Sequence, residues 1–307
     1  MARIRVVSDN DYSGDPDGLW QLAHLLLSPD VDVRLVIGSH LRENDPFDSS
    51  GRTAAGAAAA AREIAAAAAR PDVPILAGSE TALPAEGEPV RSAAALALVE
   101  EAMRDDDRPL YVTAGGGLTE IASAWLIEPR IAQRLTLVWI GGEEYPGGLV
   151  PPDAMPVEYN TLIDPAAARV VFNDSDLPLW QVPRDVYRQA LVSMRELARR
   201  VAPLGALGSL LVQSLEGVLT LLRDHGLDPG ATYVLGDSPL VLLAALQSGF
   251  EPDACSCESV RRPRPQVRAD GTFDFTGAGA EVRVFTRLDL RLMIEDLVAV
   301  LADHAAR

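Results

Sequence analysis

At 307 residues, 48% hydrophobic and 23% charged, the chain has the balance of a globular protein with material for one large core or two smaller ones, and disorder and fibre formation are excluded. Its 27 basic and 44 acidic residues leave a formal charge of −17, which repels polyphosphate backbones and anionic membranes, so neither nucleic acid nor membrane is expected as a partner. Every basic residue in that count is arginine, and the absence of lysine removes Schiff-base chemistry and any P-loop lysine.

An apolar strand opens the chain over residues 4–7 and runs into Asp9-Asn10-Asp11-Tyr12-Ser13-Gly14-Asp15-Pro16-Asp17. Carboxylates this close repel and raise one another's pKa unless donors or a cation neutralise them, and an oxygen-only cluster suits calcium or magnesium. Asp15-Pro16-Asp17 also reads as a helix start, with Asp15 as N-cap and Pro16 first in the helix, before Leu19, Leu22, Ala23 and Leu26 at helical spacing. A capped, solvated turn accounts for Asp15 and Asp17 but leaves Asp9 and Asp11 unexplained.

Apolar strands at 33–37, 73–76, 110–113 and 135–140 alternate with segments of helical periodicity. That order predicts an α/β fold, an open and mostly parallel sheet with helices on both faces. Helices are expected over 17–27, 53–69, 93–103, 118–126, 165–171, 186–201, 207–225, 239–246 and 288–301. The alanine-rich stretch at 53–70 reads as a helix packed close to the sheet, with no chemistry of its own. Between 255 and 286 the texture turns to Gly, Pro and Arg, and Asp270-Gly271 marks a hairpin between 265–268 and 272–275. This late β-excursion is expected to belong to a single domain spanning 1–307. Cys255 and Cys257 would stand about 6–7 Å apart on one face of a strand, too far for a bridge, and are expected to be reduced thiols of a cytosolic protein. No signal-like pattern precedes Ile4, and no run of 18 or more apolar residues suggests a membrane span.

Ligands of an open parallel sheet bind at the carboxyl ends of its strands. The residues after each expected strand form a set there: the early aspartates, Gly38-Ser39-His40, Gly115-Gly116-Gly117, Gly141-Gly142-Glu143-Glu144, then Glu158-Tyr159-Asn160 and Gly236-Asp237-Ser238. Taken singly, a glycine-rich turn is often structural, and an Asp before a helix is often a cap.

Together these segments resemble the inosine-uridine-preferring nucleoside hydrolase family, calcium-dependent N-ribohydrolases on an open α/β fold. Asp9, Asp11, Asp15 and Asp17 are similar to the family's Asp-x-Asp-x-x-x-Asp-Asp cluster. Gly117-Leu118-Thr119-Glu120-Ile121-Ala122 resembles its Gly-Leu-Thr-Asn-Ile-Ala turn, and Trp139-Ile140-Gly141-Gly142 its Met-Gly-Gly strand end. Glu158-Tyr159-Asn160 with Asp164-Pro165 is similar to its Glu-Phe-Asn and Asp-Pro-Glu-Ala segment, and Gly236-Asp237 to its His-Asp. The resemblance implies a nucleoside substrate, a dimer or tetramer, and Ca²⁺ held by Asp11, Asp17, Asp237 and the Gly115 carbonyl. It further implies that Asp15 activates water and that Ser39, Glu158 and Asn160 bind the sugar. Breaking a ribosyl C–N bond passes through an oxocarbenium-like state, so water must arrive deprotonated at the anomeric carbon.

Four departures stand out. Pro16 lengthens the aspartate cluster by one residue and leaves the roles of its acids open. Ser39 replaces a sugar-contacting Asn, and no Asn accompanies Gly147-Gly148. Gly236 replaces a frequent His that is the proposed leaving-group acid in some members, leaving His40 and His225 as candidates for that work and Tyr12, Trp20 and Tyr159 as candidates to stack on a base. Two rivals follow. One is a haloacid-dehalogenase-like phosphatase, suggested by Asp9-x-Asp11 and Gly236-Asp237-Ser238 but opposed by the missing lysine and by Val241 where an acid is expected. The other is a non-catalytic nucleoside binder on the same fold.

Overall fold

The computed structural model describes residues 2–248, 250, 256–277 and 279–307, so Cys255 lies outside the described residues. Its strands are β1 (Ile4–Asn10), β2 (Val31–Gly38), β3 (Ile75–Ala77), β4 (Leu110–Ala114), β5 (Leu135–Ile140), β6 (Leu179–Val182), β7 (Leu191–Ser193), β8 (Thr232–Val234), β9 (Glu258–Pro263), β10 (Gln266–Val267), β11 (Phe273–Asp274) and β12 (Glu281–Arg287). The helices are α1 (Asp17–Leu27), α2 (Thr53–Ala67), α3 (Ala93–Ala102), α4 (Thr119–Ile127), α5 (Tyr159–Ile163), α6 (Pro165–Arg169), α7 (Arg184–Tyr187), α8 (Met194–Arg200), α9 (Gly205–Asp224), α10 (Pro239–Ala245) and α11 (Leu290–Ala305).

Eight strands form one sheet in the order β3-β2-β1-β4-β5-β6-β12-β9. Every pairing is parallel except that of the edge strand β9 with β12. Alternation along the strands sends side chains to the two faces of the sheet. Val6 and Val33 pack beneath α1, α2, α9 and α11, while Val7, Leu35 and Val112 pack beneath α3, α4 and α6. The alanines of α2 serve as expected: Ala57, Ala58 and Ala61 are buried, and small side chains let the helix lie close to β2.

The expected open, mostly parallel α/β sheet with helices on both faces is what forms, and most expected elements lie within a few residues of the observed ones. Three differ. β1 continues to Asn10, so Asp9 belongs to a strand and not to a loop. The helix expected over 186–201 is broken into α7, β7 and α8, because β7 pairs antiparallel with β8 and Leu235 N–H donates to Ala190 O at 2.8 Å. Tertiary pairing outweighs a continuous apolar periodicity there. The late excursion holds its hairpin, with Arg268 N–H donating to Thr272 O at 2.8 Å, but the flanking β9 and β12 join the main sheet and extend it. Helix α9 is long and apolar enough to cross a membrane by length and composition, with a hydropathy of 1.5 over 18 residues. One face of it is buried through Leu207, Leu211 and Leu215, and Trp20 Nε1–H donates to Leu211 O at 3.1 Å. Trp20 and Tyr12, expected as possible stacking residues, are both core.

Trp139 ties the fold to the strand-end loops. The side chain is fully buried on β5, edge-on to Phe172 at 5.4 Å, and its Nε1–H donates to Gly116 O at 3.0 Å. Trp139→Phe keeps an apolar ring but leaves that carbonyl without its donor. Urea unfolding should report a loss of about 1–3 kcal/mol, and a change within experimental error would show that water reaches the carbonyl.

Candidate active site

The carboxyl ends of β1, β4 and β5, the start of α1 and the turn before α10 meet around one cavity of about 250 Å³. Asp11, Asp15, Asp17 and Asp237 line it, with Gly115, Glu158 and Asn160 on its wall. Proximity of these segments follows from the sheet order, which sets β1 beside β4 and β4 beside β5.

A chain of contacts fixes the acids. Asn10 Nδ2–H donates to Asp237 Oδ2 at 2.9 Å, Asp237 N–H to Asp17 Oδ2 at 3.0 Å, and Asp17 N–H to Asp15 Oδ1 at 3.2 Å. Tyr233 O–H also donates to Asp15 Oδ1, at 2.8 Å. Asp15 is therefore not the N-cap expected for α1; the helix begins at Asp17 after Pro16, and the Asp15 carboxyl accepts the first free N–H from just outside. Gly115 must be glycine, since a Cβ there would stand 2.4 Å from Asn10 Nδ2 and 2.8 Å from Asp237 Cγ.

Among the described residues none of the four aspartates forms an ion pair. Burial, followed by repulsion from Asp237, Asp15 and Asp45, raises the Asp11 carboxyl well above the usual aspartate range. Asp17 is raised in the same way by burial and then by Asp237, Asp15 and Asp11. Burial lifts Asp237 to about 7 despite the Asn10 hydrogen bond. Asp15 is the outermost, exposed at the rim, yet protein crowds its carboxyl closely enough to raise it against the Tyr233 and Asp17 contacts.

Glu158 and Asn160 are brought to the cavity, each already engaged. Glu158 caps α5: its Oε2 accepts from Gly142 N–H at 2.8 Å and Thr161 N–H at 3.1 Å, and its Oε1 from Tyr187 O–H at 3.0 Å. Asn160 Nδ2 donates to Gly115 O at 3.0 Å and Ile140 O at 2.8 Å, clamping the ends of β4 and β5 together. Ser39, expected to bind the sugar, is not among the residues lining the cavity. Its N–H continues the strand pairing by donating to Asn10 O at 2.9 Å, which leaves its side chain buried on the Asp9 side, away from the cavity. Asp9, whose role was left open, lies with it: its fully buried carboxyl, lacking a well-aligned donor, stands beside Ser39 and Glu120 and is raised by burial first and Glu120 second.

No histidine lines the cavity among the described residues. His40 is buried between Leu41 O and Thr119 Oγ1, and His225 bonds Leu221 O at the end of α9, so neither expected candidate reaches the site. The sequence reading missed Asn10, Phe47, Tyr187 and Tyr233. Asn10 stands inside the aspartate motif and could have been flagged; Phe47 lies in a loop with no pattern, and the helix expected over 186–201 hid Tyr187. Tyr159, expected to stack on a base, lines the cavity and donates its hydroxyl to Asp45 Oδ2 at 2.5 Å.

Fold and site together define an open α/β protein whose ligand cavity, at the strand carboxyl ends, is built of oxygen donors. The family model described as inosine-uridine preferring nucleoside hydrolase matches residues 6–292, and the chain belongs to that family. The match also sets the phosphatase alternative aside. Over 99 residues the chain is 36% identical to an inosine-uridine preferring nucleoside hydrolase of Leishmania major, covering 31% of this chain and 29% of that protein. A protein of the same description from Crithidia fasciculata is 36% identical over 105 residues, 33% of this chain and 31% of the relative. The chain thus matches less than a third of the length of these curated relatives. A solved structure described as a purine-preferring ribonucleoside hydrolase from Gardnerella vaginalis has the same fold, with a TM-score of 0.74 and 17% identity over 98% of this chain and 99% of that one.

Without a divalent cation, the raised carboxyls hold protons in the folded chain that they have released in the unfolded one. Folded stability from Asp237 is therefore full below about pH 4 and lost as pH rises through about 7. In chelator, the thermal midpoint should fall across that window more steeply for the native protein than for Asp237→Asn. Identical slopes in scanning fluorimetry would show that Asp237 is not perturbed.

Proposed function

We propose that the protein hydrolyses the N-glycosidic bond of ribonucleosides, releasing ribose and free base, with calcium bound among the rim aspartates. The observation that carries this is the meeting of Asp11, Asp15, Asp17 and Asp237 around one cavity with no basic side chain lining it among the described residues. Among the described residues no three His, Cys, Asp or Glu side chains stand close enough to form a ready-made cage. The donor chemistry nonetheless fits a hard cation: the candidate ligands are all oxygen, the Asp11 carboxyl accepts from no side chain among the described residues, and burial followed by mutual repulsion raises Asp11 and Asp17. Asp11, Asp17 and Asp237 would hold the ion, joined by the Gly115 carbonyl, which bonds Asn160 with one lone pair and keeps a second. When bound, such a cation makes water more acidic and can anchor ribose hydroxyls.

Asp15 takes the proton from the attacking water in this reading, oriented by Tyr233 and by Asp17 N–H. Asn160 Oδ1 and the Glu158 carboxylate face the sugar, with Tyr187 holding Glu158 in place. A second assignment makes Asp11 the base, favoured by a carboxyl to which no side chain among the described residues donates.

Reducing-sugar release from purine and pyrimidine ribonucleosides should require added calcium and stop with a chelator. Asp15→Asn should lower turnover by about 10²–10⁴-fold while calcium binding, read by calorimetry, persists. If Asp11→Asn alone loses turnover and keeps calcium, the proton goes to Asp11. Calcium-dependent stabilisation with no ribose from any nucleoside would favour the binder and defeat the hydrolase reading.

A further inference from the structure

We propose that the favoured substrates are ribosides whose base is already a cation, joined to ribose through a quaternary ring nitrogen as in a pyridinium riboside. This rests on the N-ribohydrolase reading above and names the substrate class of the same site.

The first observation is that the rim's hydroxyl donors are all committed. Tyr187 donates to Glu158 at 3.0 Å, Tyr159 to Asp45 at 2.5 Å and Tyr233 to Asp15 at 2.8 Å. Glu158 is held as an acceptor by two backbone N–H groups besides, and the aspartates are assigned to the cation and to water. Among the described residues lining the cavity there is no Arg or His. A neutral base would have to depart as an anion or take its proton from solvent, without the 10²–10⁴-fold that a positioned acid supplies.

The second observation is charge. Asp11, Asp15, Asp17, Asp237 and Glu158 line one cavity, and a divalent cation offsets only part of their charge. A negative, partly enclosed wall attracts a positive ligand and disfavours the accumulation of negative charge on a leaving base.

The third is aromatic. Phe47, Tyr159 and Tyr187 line that cavity, and Phe47 remains 40% exposed and available. A Cβ at Gly236 would stand 3.2 Å from Asp17 Oδ2 and 3.4 Å from the Tyr187 ring, so the space beside Gly236 is bounded by a carboxyl assigned to the cation and by an aromatic ring. Flat cations bind aromatic faces.

The chemistry balances without a proton donor. The water oxygen bonds the anomeric carbon as the C–N bond breaks, the C–N electron pair cancels the positive charge on nitrogen, and the base leaves neutral. One water proton passes to the carboxylate base, and nothing needs to be delivered to the leaving group.

The test uses the calcium-loaded protein and three ribosides: a pyridinium riboside with a 3-carboxamide, its 3-carboxylate analogue, and uridine as the neutral single-ring counterpart. After subtraction of the spontaneous rate, the carboxamide should exceed uridine by at least about 100-fold in kcat/KM. The carboxylate, with the same reacting bond but an added negative charge, should show at least a tenfold higher KM. Raising salt from 50 to 500 mM should raise KM for the carboxamide, as screening predicts, and Phe47→Leu should raise it about 3–10-fold with kcat unchanged. Uridine within tenfold of the carboxamide, or equal KM for carboxamide and carboxylate, would overturn the proposal while leaving the hydrolase intact. No release from any of the three, or from inosine, would overturn the hydrolase reading itself.

Discussion

Repulsion among buried carboxylates organises this protein. Asp11 and Asp17 are driven up in pKa by burial and then by Asp237 and Asp15, and Asp237 by burial and then by Asp15 and Glu158, and the fold tolerates this because the parallel sheet delivers them all to one end. Parallel strands put their carboxyl ends side by side, so residues that are remote in sequence must crowd there. Asp237 lies 220 residues from Asp17, yet its backbone N–H reaches the Asp17 carboxylate. The interaction is unfavourable for the isolated chain, and a bound cation would relieve it.

Holding the acids requires a rigid surround, and neutral polar groups supply it. Asn10 anchors Asp237 from within β1, Asn160 bridges the carbonyls of Gly115 and Ile140, and Trp139 secures Gly116. Glu158 gathers two backbone N–H groups and the Tyr187 hydroxyl. These bonds join the ends of β4 and β5 to α5 and α7, so the cavity wall is a closed network and not a set of free loops. Such networks hold a site to the tolerance that catalysis demands.

The aromatic side of the cavity follows from a different constraint. Gly236 contributes no side chain, and the Asp17 carboxyl and the ring of Tyr187 border the adjoining space. Tyr187 comes from α7, which exists as a short separate turn because β7 pairs with β8 just beyond it. A long-range strand pairing therefore decides which ring faces the ligand.

Much of this was legible in the chain. Short apolar runs alternating with helical periodicity led to the open parallel sheet, since periodicity reflects burial that is local to each element. The aspartate spacing, the Gly115-Gly116-Gly117 turn and Asp237 marked the rim, because residues after strands of a parallel sheet have one place to go. What the sequence could not decide was which face each strand-end residue takes. Asp9 and Asn10 are both buried at the end of β1, yet Asn10 reaches Asp237 while Asp9 lies beside Ser39 and Glu120. The break of the expected helix at Tyr187, the burial of His40 and the arrival of Phe47 at the cavity were likewise settled by contacts between distant segments. Local propensity determined the elements, and tertiary packing alone determined which side chains share the cavity, because that depends on pairings the chain makes across hundreds of residues.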